Sequence, residues 1–140
     1  MGEFSMQTDY KRWLEKAKRH LSTAHLNHDN KGFDDTTCYF THQTAELALK
    51  AFLMAKNTDF PKVHALPQLL SLCMTIDPDF SHNMDDMAFL NGFYIEAKYP
   101  LDIAIEPSPK DVQRALSCAS QIVDFVEKKL QCPRQRLGFR

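Results

Sequence analysis

The stretch Cys38–Lys56, CYFTHQTAELALKAFLMAK, runs without Pro or Gly and decides how the chain is read. At about 100° per residue, Ala45, Ala48, Leu49, Phe52 and Leu53 fall on one apolar arc, while Phe40, Leu47, Ala51 and Met54 fall on a second. A helix that is apolar on two sides is a buried helix. Between the arcs lies a narrow strip of Tyr39, Gln43, Glu46 and Lys50, spaced i, i+4, i+7, i+11, and His42 sits on the first apolar arc itself. Polar groups on a helix that must be buried are the ones to explain.

The rest of the chain supplies what such a helix packs against. Asp9 precedes a segment in which Tyr10, Trp13, Leu14, Ala17, Leu21, Ala24 and His28 share one face, with Lys11, Arg12, Lys16, Lys18 and Arg19 turned away. This predicts an amphipathic helix with an acidic start that stops before Asn30-Lys31-Gly32. His20, His25 and His28 lack the Cys or carboxylate companions of a metal site and read as solvated or partly packed. Asp34-Asp35-Thr36-Thr37 offers N-cap candidates for the central helix, expected over about residues 34–56. Pro67 opens a short third helix carrying Leu69, Leu70, Leu72 and Cys73. A fourth is expected from Ser81 to about Lys98, its inward face bearing Met84, Met87, Ala88 and Ile95 together with Asn91, Tyr94 and Lys98. Pro100, Pro107 and Pro109 make residues 99–109 a patterned loop. The last helix opens at Pro109 and shows the plainest stripe, Val112, Ala115, Leu116, Ala119, Ile122, Val123, Val126 and Leu130.

No strand alternation appears, so the expected fold is all-α, an up-and-down four-helix bundle plus one short helix. The 140 residues suit one domain, which we place at residues 6–132, after a cloning remnant at 1–5 and before a flexible basic tail at 133–140. Hydrophobic residues at 44%, charged residues at 25% and a net charge of −1 describe an ordinary globular protein. That balance gives no global pull toward nucleic acid or membrane, and neither is expected as a partner. Apolar runs never reach the roughly 18 residues of a membrane helix. Cys38, Cys73, Cys118 and Cys132 include no CxxC pair; buried reduced thiols and a cytoplasmic setting are expected.

Three readings of the polar strip stand together. Glu46 and Lys50 can form an i, i+4 ion pair worth a few tenths of a kcal/mol. They can join Lys98 and Tyr94 in a groove where lysines hold phosphate and aromatic rings a base. Alternatively, Glu46 and Lys98 form a buried pair that fixes helix register. His42 reads as a core histidine hydrogen-bonded across the bundle, and His64 as a capping or loop-anchoring group. Phosphate loops of the GxxxxGK kind are absent, so a nucleotide would bind through side chains.

Taken in order, several segments resemble the HEPN domain (higher eukaryotes and prokaryotes nucleotide-binding domain). These are the first helix with Trp13, Ala17 and Ala24, HQTAELALKAFL at His42–Leu53, the His-x-Leu of His64–Leu66, and Phe93-Tyr94 followed by Lys98-Tyr99-Pro100. The resemblance implies a helical bundle, often a homodimer, with bacterial and archaeal members partnering a small nucleotidyltransferase. Some members are ribonucleases, and eukaryotic ones occur at the ends of large chaperone-like proteins. Ribonuclease members carry an Arg followed four to six residues later by a His, a proton-transfer group beside a charge-stabilising one. Here Lys98 stands where that Arg would be, no His follows His82, and Tyr99-Pro100-Leu101-Asp102 is one residue longer than the family's Tyr-Pro-Asp.

The sequence therefore points to a non-catalytic binding and dimerisation module. Its expected ligand-binding residues are Lys50, Lys98, Tyr94, Tyr99, Glu46, Gln43, His42 and His64, with ATP or GTP as ligand, no cofactor or metal, and a nucleotidyltransferase as partner. The alternatives are a metal-independent ribonuclease of toxin type, with His42 or His64 replacing the missing His, and an assembly domain of a larger chaperone-like protein.

Overall fold

The computed structural model describes residues 6–94 and 106–137 of the chain. Their regular structure is helical throughout, without a strand: α1 (Met6–Asp29), α2 (Asp34–Ala55), α3 (Leu66–Ile76), a 3₁₀ segment (Pro78–Asn83), α4 (Met84–Asn91) and α5 (Pro109–Leu137). The all-α fold expected from the sequence is the one observed.

The central helix is α2. Its largest interface is with α1 and its next with α5, while α3 and α4 close a third side. Burial all round follows from the two apolar arcs: Ala45, Ala48, Leu49, Ala51, Phe52 and Leu53 are all inaccessible or nearly so. Small side chains make the close approach to α1 feasible, since Ala17 and Ala24 present no bulk to α2. The α5 stripe buries Val112, Ala115, Ile122 and Val126 as expected. Ser108 and Asp111 start that helix with a reciprocal capping box, each backbone N–H donating to the other's side chain at 3.1 Å.

Both long N-terminal helices end in Schellman motifs with a non-glycine residue in the left-handed position. Lys31 (φ 60°) follows α1, where Gly32 N–H reaches Asn27 O at 2.7 Å; Asn57 (φ 53°) follows α2, where Thr58 N–H reaches Leu53 O at 2.9 Å. Asn27 then ties the turn to α2, donating to Phe33 O at 2.9 Å and to Thr37 Oγ1 at 2.8 Å. None of the expected caps acts at the start of α2. Phe33 holds the N-cap position without a side-chain bond, and Asp34 and Asp35 contribute charge to the first turn instead.

The fourth helix is shorter than expected. Asp77-Pro78 initiates the 3₁₀ segment, with Asp77 Oδ1 accepting from Asp79 N–H at 3.0 Å, and α4 begins only at Met84. It ends at Asn91, where i→i+3 bonds to Gly92, Phe93 and Tyr94 tighten the chain out of the helix. Met87 and Leu90 therefore face the core, whereas Met84 and Ala88, expected inward, are exposed. Tyr94 is thus carried by a turn rather than by a helix face. Among the described residues the thiols of Cys38, Cys73 and Cys118 are buried and free. Among the described residues no helix is long and apolar enough to cross a membrane.

Candidate functional site

Five of the eight expected site residues meet where the strip of α2 faces the α2–α3 loop and the turn after α4. Glu46 and Lys50 are 6% and 7% exposed, so theirs is a buried pair rather than the surface pair of an exposed strip. Lys50 Nζ donates to Glu46 Oε2 at 2.8 Å, and the Phe60 ring lies 5.8 Å from the same ammonium. His64 Nδ1 approaches that same oxygen at 2.9 Å. One carboxylate oxygen therefore serves two basic groups, one from its own helix and one from the following loop.

Tyr94 completes the cluster as an aromatic ring shared by two histidines. Its centroid lies 5.2 Å from that of His42 and 5.0 Å from that of His64, the second pair nearly parallel at 17°. His42 is fully buried, and its imidazole is pushed down to about 4, first by burial, against the opposing pull of the Glu46 carboxylate. It is therefore neutral at pH 7. Among the described residues neither of its ring nitrogens has a hydrogen-bond partner, nor has Glu46 Oε1, which stands 3.9 Å from His42 Nδ1. The His64 backbone and the Gln43 side chain pull the imidazole part of the way back up, so the contact expected for His42 runs to the His64 segment but falls short of full hydrogen-bond geometry. A buried polar group left unpaired costs about 1–3 kcal/mol, and three such atoms in one spot form an unused donor and acceptor set.

His64 is the exposed member, its side chain 52% accessible. Its loop is held at the far end by Asn91, whose Oδ1 accepts the Leu66 N–H at 3.0 Å and so caps α3 from α4. Sequence reasoning missed this function of Asn91 and also missed Phe60. The first is a tertiary contact across 25 residues, and the second depends on how the loop folds back. Gln43 is half-buried on the same helix face. Lys98, Tyr99, Pro100 and Asp102 lie outside the described residues. Among the described residues no group of three or more metal-binding side chains comes together.

Comparison with known proteins agrees with this architecture. The HEPN domain family model matches residues 10–129. The archaeal HEPN homologue ST0689 superposes with a TM-score of 0.68 at 22% identity, covering 87% of this chain and 98% of the other. TT1696 from Thermus thermophilus superposes with a TM-score of 0.71 at 25% identity, covering 86% and 98% respectively. Among curated proteins there is no significant match.

Proposed function

The chain belongs to the HEPN family, and we propose that it is a non-catalytic binding and dimerisation module that takes a nucleotide, ATP or GTP, at the His42–Glu46–His64–Tyr94 cluster. The observation that carries this reading is the Tyr94 ring stacked on half-exposed His64 and also in contact with His42, in a cluster that holds the buried, partnerless polar atoms of His42 and Glu46. A nucleobase is flat and edged with donors and acceptors, so it suits an aromatic platform beside such atoms. Both Lys50 and His64 bond the same Glu46 oxygen, but Lys50 is buried while His64 is 52% accessible, so His64 is the basic group of the cluster that a phosphate can reach. Dimerisation is supported by Phe33 and Leu26, 81% and 64% exposed at the α1–α2 end of the bundle, where large apolar side chains are left in solvent. The nucleotidyltransferase partner follows from the family resemblance alone.

A second reading, a metal-independent ribonuclease, is favoured by the 2.9 Å approach of Glu46 to His64. A carboxylate on Nδ1 fixes an imidazole's tautomer and leaves Nε2 to exchange the proton. Calorimetric titration of ATP and GTP against the wild type and Tyr94→Ala separates the readings. Saturable binding that weakens tenfold or more in the variant supports the first. No saturable heat at millimolar nucleotide, with cleavage of labelled single-stranded RNA in EDTA that His64→Ala abolishes, replaces it by the second. A monomer in light scattering at high protein concentration removes the dimer.

A further inference from the structure

The outward side of α1 carries a groove remote in composition from the cluster above. Half-buried Trp13 and, from α2, Leu47 are its apolar elements; exposed Lys11, Arg12, Lys16 and Arg19, with Glu15, are its charged ones, around a volume of about 620 Å³. Four cations against one carboxylate give it a formal +3, in a chain whose net charge is −1.

Like several other surface lysines of the chain those cations have no anionic partner among the described residues, in contrast to Lys18 on the same helix. Lys18 is bonded to Glu127, Lys50 to Glu46, and Lys129 to Asp77 and Asp79, whereas Lys11, Arg12, Lys16 and Arg19 enter no ion pair among the described residues. Arg12, Lys16 and Arg19 stand at i, i+4 and i+7, a stripe about 10 Å long on one helix face. Like charges at that spacing repel along the helix, a cost that bound carboxylates would reverse. Their field is felt next door: burial first, then Lys16 and Arg19, push the His20 imidazole below its ordinary value, where it stacks on Phe40 at 5.4 Å.

We infer that this groove docks an acidic amphipathic helix of a protein partner, its apolar side chains on Trp13 and Leu47 and its carboxylates on Arg12, Lys16 and Arg19. A partner helix repeats its side chains at the same rise per residue as α1, so carboxylates at i, i+4 and i+7 meet the three cations in register. Complementary charge of this kind speeds encounter and selects partners, while the apolar contact sets residence time. A nucleic-acid strand fits less well, because strand binding needs successive ring faces for stacking and Trp13 is the lone aromatic in the lining. This inference goes beyond the nucleotide reading and shares no residue with it, so either can fail alone.

Trp13 is the chain's only tryptophan, so its emission reports occupancy of the groove directly. The probe is a synthetic helical peptide with Glu at i, i+4 and i+7 and Leu on the adjoining face, titrated against the full chain. Expected is a saturable emission shift, with affinity at least tenfold weaker for Arg12→Glu/Lys16→Glu, whose exposed positions leave the far-UV circular dichroism unchanged. A Leu47→Ala variant should also bind more weakly. Three results each overturn the inference: no saturable shift at millimolar peptide, equal affinity for a scrambled peptide of the same composition, or tighter binding of a single-stranded oligonucleotide.

Discussion

Glu46 and His64, eighteen positions apart in the chain, meet at 2.9 Å through Oε2 and Nδ1, on the oxygen that also accepts Lys50. The carboxylate therefore fastens a loop to the central helix while neutralising a buried ammonium. Glu46→Gln keeps the shape and removes the charge, which leaves Lys50 enclosed beside a neutral amide. We expect a loss of about 3 kcal/mol, the usual scale for breaking one side of a buried pair, seen as a lower urea midpoint at unchanged slope. The double variant Glu46→Gln/Lys50→Met should recover most of it. A loss under about 1 kcal/mol for the single variant would show that the pair behaves as a solvated one.

His42 makes the fold acid-sensitive. Its imidazole falls from 6.5 to about 4 on folding, so between these values the unfolded chain takes up a proton that the folded chain refuses. Stability is then full above about pH 7, declines as pH falls toward 4, and loses nothing more from this group below that. The decline attributable to His42 reaches about 3 kcal/mol. His20 is also pushed below its ordinary value and adds in the same direction. The measurement is the difference in unfolding free energy between about pH 7 and about pH 4.5, which should be smaller in His42→Leu than in the wild type. Equal differences in the two proteins would mean that His42 charges freely in the folded state.

How much of this was legible beforehand follows from which interactions are local. The stripe from Val112 to Val126 and the two arcs of α2 repeat with the helix period, so burial could be read from spacing alone. The cluster was half legible: the one-helix spacing of Glu46 and Lys50 shows their pairing, but nothing in it shows that His64 shares the same oxygen. Tyr94 was placed on a helix because Met84, Met87, Ala88 and Ile95 read as one helical face, and the i→i+3 bonds that end α4 are not a sequence pattern. Likewise the N-cap of α2 passed to Phe33 although four better capping residues follow it. Tertiary packing on α1, through Asn27, sets where that helix begins.

The turn between α1 and α2 offers two opposite tests at adjacent positions. A Cβ on Gly32 would lie 1.9 Å from Asn27 Oδ1, so Gly32→Ala must displace the side chain that bonds Phe33 O and Thr37 Oγ1. A loss of about 1–2 kcal/mol is expected. Lys31, in contrast, holds a left-handed conformation that glycine adopts without penalty, and Lys31→Gly should gain about 0.5–1 kcal/mol. Thermal unfolding of the two variants should move in opposite directions. A stabilised Gly32→Ala would mean that Asn27 rotates away without loss.

Asn91 joins both sides of the candidate site, and its replacement tests whether the cluster depends on that geometry. Its side chain accepts the Leu66 N–H at 3.0 Å, two residues beyond His64, and its backbone carbonyl accepts the Tyr94 N–H at 3.3 Å. Asn91→Ala removes the first bond and leaves the start of α3 uncapped, at a cost of about 1 kcal/mol and a few degrees in Tm. Asn91→Asp retains an acceptor of the same reach and should restore the stability. If the stacked pair of His64 and Tyr94 is what a nucleotide meets, Asn91→Ala should weaken nucleotide binding severalfold and Asn91→Asp should not. Unchanged affinity in the alanine variant would separate the cap from the site and leave Asn91 a purely structural residue.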